Sequence, residues 1–300
     1  MSTFQKVIKY CAIAFAVMLA IGIITTMASA ATAIISLVSG VSGKFVHRDS
    51  VNVDFNQDRI TRKDLSESFQ DVKNLDIDID TGSLQVINGD TLRVEAENVP
   101  DDFEAKVTSN GTLILREKAR HINFLWFNFN INNNLNSKII LYLPADLKLK
   151  ETEIDTGAGK VTIEGLSTKE LFISAGAGNV DGRNIQADKV VLDGGVGSVS
   201  FKDIYFEDMD LDCGVGNVWI EGKVIGDSTI DCGVGNVDLN LIGRPEDYDF
   251  DIEAGVGRVR LNGERISKEY RKNNEAASSI EIDGGVGNVE INFTSVGEDF

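Results

Sequence analysis

VWIEGKVIGDSTIDCGVGN, residues 218–236, holds two short runs in which apolar residues alternate with polar ones. Val218 and Ile220 alternate with Trp219 and Glu221; Ser228, Ile230 and Cys232 alternate with Thr229 and Asp231. A period of two is the mark of a strand with one buried face, so the stretch predicts two short strands. Gly222 with Gly226 marks one turn, and Gly233-Val-Gly-Asn236 marks the other. Val234 and Val237 are three apart, so an inward-facing alternation has to change phase between them. A bend at Gly235-Asn236 would do so, using the two residue types that best tolerate left-handed backbone.

The same pattern recurs outward in both directions. DTGAGKV (155–161), SAGAGNV (174–180), DGGVGSV (193–199), DCGVGNV (212–218) and DCGVGNV (231–237) start 19 residues apart; EAGVGRV (253–259) follows after 22 and DGGVGNV (283–289) after 30. A divergent copy, DTGSLQV (80–86), opens the region. Nineteen residues cannot enclose a core alone, so successive units must stack, each strand pairing with its equivalents about 4.8 Å above and below. The expected fold is all-β: a parallel β-solenoid with rungs of about 19 residues and two short strands per rung. Two ladders should form its core. One is Val161, Val180, Val199, Val218, Val237, Val259 and Val289; the other is Ile154, Ile173, Leu192, Leu211, Ile230, Ile252 and Ile282. The longer steps imply loops extruded near residues 242–252 and 262–280, and the charged stretch 264–279 reads as a solvated excursion. Upstream, residues 74–99, 103–117 and 138–155 alternate like strands separated by NG, GD and PAD turns.

The strings LDIDIDTGSLQV and LYLPADLKLKETEIDTGAGKVTIEGL, with the recurrent GAGNV and GVGNV turns, resemble the bacterial adhesin-like family of β-strand repeats, also catalogued as a domain of unknown function. The resemblance covers residues 73–293. It implies a β-solenoid carried on membrane-anchored or secreted bacterial proteins, with adhesion assigned by analogy, and it brings no catalytic residue with it.

Ahead of the repeats, residues 10–43 contain no charged side chain, and the run 10–40 exceeds the roughly 20 apolar residues that a membrane-crossing helix needs. Ala28-Ser29-Ala30 has the small-x-small form of a signal-peptidase site, so a cleaved signal is the alternative. The apolar character continues through Ile34, Ile35, Leu37 and Val38, which favours an uncleaved anchor. The expected organisation is a cytoplasmic tail (1–9), an N-terminal transmembrane helix or signal anchor (10–40), a polar juxtamembrane linker with a short helix (41–72), and the solenoid (73–300). Within the last, residues 73–150 form a β-cap and first rungs and 151–293 the regular repeats. The C-terminal domain is expected outside the cytoplasm, in a single-pass protein of the cell membrane, with lipid contacted through the helix.

From Lys44 onward, 27 basic residues face 47 acidic ones. Such a balance argues against nucleic acid as a partner, because phosphate backbones are held by clustered Lys and Arg. Two histidines and three cysteines leave little for His-based catalysis or structural zinc, and no HExxH, P-loop or GxSxG occurs, so no enzyme and no cofactor are expected. The acidic ladder Asp155, Asp193, Asp212, Asp231, Glu253 and Asp283, with Ser174 in its neutral slot, makes Asp193, Asp212 and Asp231 weak candidates for Ca²⁺, although the calcium β-roll places its Asp after the glycines. Asn179, Asn217, Asn236 and Asn288 share one corner, where their amides can bond along the axis. Cys213 and Cys232 occupy equivalent positions on adjacent rungs, so a disulfide is geometrically approachable, though parallel Cβ vectors suit it poorly. Phe124, Leu125, Trp126, Phe127 and Phe129 are concentrated between two strands, either as a cap over an open end or as a binding patch for an extracellular protein or glycan. The leading expectation is a membrane-anchored bacterial surface protein with a non-catalytic binding or envelope-organising role. Alternatives are a self-assembling scaffold, an envelope-stress accessory protein and a carbohydrate-active enzyme.

Overall fold

The structure is a computed structural model that describes residues 61–117, 122–124, 127–129 and 137–294. The chain divides into units 1–58 and 59–300. The expected tail and transmembrane helix lie outside the described residues, and among the described residues no helix is long and apolar enough to cross a membrane.

Strands dominate. The first group is β1 (Arg62–Ser68), β2 (Asn74–Asn88), β3 (Arg93–Pro100), β4 (Glu104–Val107), β5 (Thr112–Arg116), β6 (Ile122–Phe124), β7 (Phe127–Phe129) and β8 (Lys138–Leu143). The repeats follow as β9 (Leu149–Val196), β10 (Val199–Val215), β11 (Val218–Val224), β12 (Asp227–Val234), β13 (Val237–Ile242), β14 (Tyr248–Val256) and β15 (Val259–Leu261). The last strands among the described residues are β16 (Glu264–Ile266), β17 (Glu269–Lys272), β18 (Ser278–Val286) and β19 (Val289–Thr294). β1 lies in the stretch read as linker: it pairs antiparallel with β3, from Arg62 opposite Pro100 to Ser68 opposite Arg93.

Stacking is parallel and in register. Val180, Val199, Val218 and Val237 are successive partners, as are Leu192, Leu211 and Ile230. All fourteen residues of the two expected ladders are buried. Each rung has three sides rather than two. Around one turn the inward residues are Val180 with Gly182, then Ile185 with Ala187, then Val190 with Leu192; the interval widens from two to three residues at the corners between these pairs and to seven across the G-x-G corner, from Leu192 to Val199. The third side was hidden because its residues vary, from Ile185 and Ala187 to Ile204 and Phe206. Its corner also changes identity: Gly165, Asn184 and Asp203 hold left-handed φ of 77°, 52° and 53° at 19-residue intervals.

Stacking order departs from chain order at both ends. β2 lies between β9 on one side and β5 with β8 on the other. At the far end, β18 and β19 are inserted between β12 and β13 on one side and β14 and β15 on the other. The 22-residue step from Asp231 to Glu253 makes this possible. Three extra residues give about 10 Å of reach, more than the additional 4.8 Å needed to skip a rung. The 30-residue step to Asp283 then brings the chain back into the gap.

The excursion read as solvated is partly structured. β16 pairs antiparallel with β15 and β17 with β14, while at the other end β4 covers β5 and β3 covers β8. Charged side chains on β16 and β17 make them poor templates for further strand addition. Tyr270 of β17 packs on a cluster of Tyr248, Phe250 and Phe293, with centroid separations of 5.2 Å for Tyr248–Phe293 and 6.1 Å for Phe250–Tyr270.

Candidate functional site

The repeated G-x-G corner organises the most distinctive surface. At Gly235, φ is +157°, and a Cβ would stand 1.5 Å from the Gly216 carbonyl oxygen of the next rung. A Cβ at Gly233 would stand 2.6 Å from the Gly214 oxygen. Close backbone approach between rungs therefore requires both glycines. Asn236 is different, because it does not have positive φ. Its role lies in the side chain: Asn217 Oδ1 accepts from the Asn236 backbone N–H at 3.0 Å and from its amide Nδ2 at 3.2 Å, and Asn236 Oδ1 accepts the same pair from Asn288. The expected amide ladder is present and continues to the Arg258 N–H.

The valine between the glycines points outward. Val196, Val215, Val234, Val286 and Val256 are 58%, 47%, 46%, 45% and 64% exposed, and pairing places them in that order along the stack. An inward Val234 is thus corrected. Cys232 is buried and Val234, two residues on, is exposed, so the phase changes before the valine as well as after it.

Beside this apolar column runs the acidic one, in the order Asp193, Asp212, Asp231, Asp283 and Glu253. An arginine stands near each end of the acidic row. Arg116 lies 3.3 Å from Asp76 and 3.4 Å from Asp78, which pairs with Asp155; Arg271 lies 2.8 Å from Asp251 and 3.0 Å from Glu253. Asp193, Asp212, Asp231 and Asp283 between them form no ion pair among the described residues. Partial burial, and then the carboxylates of Asp283 and Asp212, push the Asp231 pKa up. The three candidate calcium ligands are stacked one per rung instead of converging on a point, and among the described residues no group of three or more His, Cys, Asp or Glu is arranged to hold a metal.

Cys213 and Cys232 are direct partners on adjacent rungs, buried and free. Their thiols point to the Gly197 and Gly216 carbonyl oxygens at 3.9 and 3.8 Å. The contact with the Cys213 sulfur, and then burial, push the Cys232 thiol up. Of the aromatic patch, Leu125 and Trp126 lie outside the described residues; Phe124 and Phe127 are backbone partners, and Phe129 pairs with Ile122, in a separate two-stranded sheet. The repeats carry two exposed aromatics that periodicity did not single out. Lys202 Nζ lies 5.3 Å from the Trp219 ring centroid and Lys223 Nζ 5.9 Å from that of Tyr205.

The molecule is thus defined as an all-β, solenoid-like protein whose stacked rungs repeat surface side chains in columns. The chain belongs to the Toastrack DUF4097 family, whose model matches residues 72–283. It is similar to a solved structure of a candidate cell adhesion protein from Clostridium sporogenes, at 16% identity and TM-score 0.36, covering 78% of this chain and 100% of that one. A candidate adhesin from Bacteroides fragilis matches at 15% and 0.42, covering 77% and 97%. A candidate lipid-binding protein from Parabacteroides distasonis matches at 15% and 0.40, covering 77% and 96%. No curated protein matches the chain.

Proposed function

We propose that this protein is a bacterial surface protein, held in the cell membrane by residues 10–40, whose solenoid stands outside the cytoplasm and binds other envelope or extracellular molecules without turnover. The observation that carries this reading is the repetition of chemistry along the stack. A valine, an acidic group and an asparagine-type corner recur on rung after rung, giving a multivalent surface in which, among the described residues of the repeats, no single constellation interrupts these columns as a catalytic site would. The 34 uncharged residues 10–43 support the anchor. The antiparallel strands over both ends oppose the scaffold alternative, because end-to-end growth of a solenoid requires open parallel edges.

Protease treatment of intact cells carrying a C-terminal tag tests the placement. Loss of the tag from membrane-retained protein is expected, and a tag that stays protected after any outer envelope is permeabilised would defeat it. Retention of purified envelope polymers by beads bearing the full-length chain tests the binding role, for which beads that hold nothing count against it.

A further inference from the structure

We infer that the face formed by Val196, Val215, Val234, Val286 and Val256 and the parallel acidic column is a docking surface for a cationic amphipathic helix of a partner protein; this rests on the binding reading above and gives it a surface and a partner chemistry. The valines are exposed by 45% to 64% on the middle and later rungs, and the glycines flanking each leave them standing proud of the surface. Val256 and Val196 are separated by four rung spacings, about 19 Å at 4.8 Å each. A helix rises 1.5 Å per residue, so about 13 residues would cover that length. Its same-face side chains, three or four residues apart, are about 5–6 Å from one another and so come near the rung spacing. A helix lying along the stack axis can therefore set one apolar side chain against each valine. An extended strand in that direction repeats on one face at about 6.6 Å and falls out of step within two rungs.

Charge selects the sign of the helix. Asp193, Asp212, Asp231 and Asp283 precede their valines by three residues, within about 10 Å, and form no ion pair among the described residues. Lys or Arg along one edge of the apolar stripe of the helix would meet this row. A second copy of the chain is disfavoured as occupant, because two such faces would oppose their acidic columns in molecules of formal charge −18.

The test uses the full-length chain, in zwitterionic nanodiscs where it needs them, with empty nanodiscs as the blank. The probe is a synthetic 14-residue Leu/Lys peptide with leucine at helical spacing, compared with a scrambled peptide of the same composition. Saturable binding that weakens with salt is expected. Val215→Ser/Val234→Ser, at exposed positions, should fold with unchanged thermal unfolding and lose about tenfold or more in affinity, while Asp212→Asn/Asp231→Asn should lose a similar factor and flatten the salt dependence. Equal binding of the scrambled peptide, or unchanged affinity in both variants, overturns the proposal. So does a wild-type dimer that Val215→Ser/Val234→Ser dissolves, which would make a second copy the occupant, or vesicle binding abolished by the same variant, which would make it lipid. Beads that retain envelope polymers through both variants alike, with no peptide binding, would remove this surface and leave the binding function intact; beads that retain nothing would remove both.

Discussion

At the scale of the residue, the G-V-G corner separates two kinds of constraint that look alike in sequence. Gly235 is fixed by backbone, and Gly235→Ala is expected to cost at least about 2 kcal/mol in chemical denaturation, because a Cβ there would stand 1.5 Å from a carbonyl oxygen, far inside van der Waals contact, and positive φ adds strain. Val234, between two such glycines, faces solvent, and Val234→Ser should stay within about 0.5 kcal/mol of wild type. The glycines were legible as a turn, but the outward valine was not, since hydrophobicity alone assigns valine to a core. Glu117 was equally invisible to pattern. It is 3% exposed with neither carboxylate oxygen hydrogen-bonded in good geometry, and burial pushes its pKa above 4.5, with Ser137 offsetting part of the effect. The folded protein holds this proton more tightly than the unfolded chain does. Its contribution to stability is therefore fully present below pH 4.5 and is lost as pH rises through the folded value. Glu117→Gln should stabilise the protein at pH 7 by about 1 kcal/mol or more and by little at pH 4, as read from urea midpoints at the two pH values.

At the scale of the element, periodicity revealed which residues share a ladder, since the apolar positions recur at fixed intervals and every one of the fourteen is buried. It could not reveal which rung lies beside which. Side-chain alternation encodes the cross-section of a turn, and the cross-sections of residues 225–243, 248–261 and 278–294 are nearly interchangeable. Only the 22- and 30-residue steps hinted at the exchange. The excursion 264–279 was read from its charges as solvent-seeking, yet over residues 264–272 those charges ride on strands that close the edge of β14 and β15. Replacing residues 264–272 with a glycine-serine linker should uncover that edge and produce concentration-dependent oligomers in light scattering, where the wild-type domain stays monodisperse. Between the rungs, Cys213 and Cys232 lie side by side with parallel Cβ vectors, a poor arrangement for a disulfide. Protein handled in air should show Cys213 and Cys232 alkylated by iodoacetamide after unfolding, and neither before it, in peptide-mapping mass spectra that separate them from Cys11.

Over the whole molecule, the acidic columns make stability a function of pH in an uncommon direction. Burial first, and neighbouring carboxylates second, raise the pKa of Glu153, Asp155, Asp231 and Asp238; among the carboxylates of the described residues only that of Asp247, bonded to Arg244, is lowered. Groups with raised folded values stabilise when protonated. The melting temperature should therefore rise as pH falls from neutrality toward the ordinary carboxylate range, near pH 4, and the rise should shrink in 0.5 M salt, which differential scanning calorimetry would register. The stacking order has a separate consequence for synthesis. A solenoid built in chain order can add each turn to the one already made, so it folds as it emerges. Here the rung ending at Thr294 lies beneath residues 248–261, which have no permanent seat until it arrives. Residues 278–294 act as a keystone: residues 248–261 lock only once Thr294 has been made, and a chain stopped short of residue 278 leaves that turn with nothing to stand on.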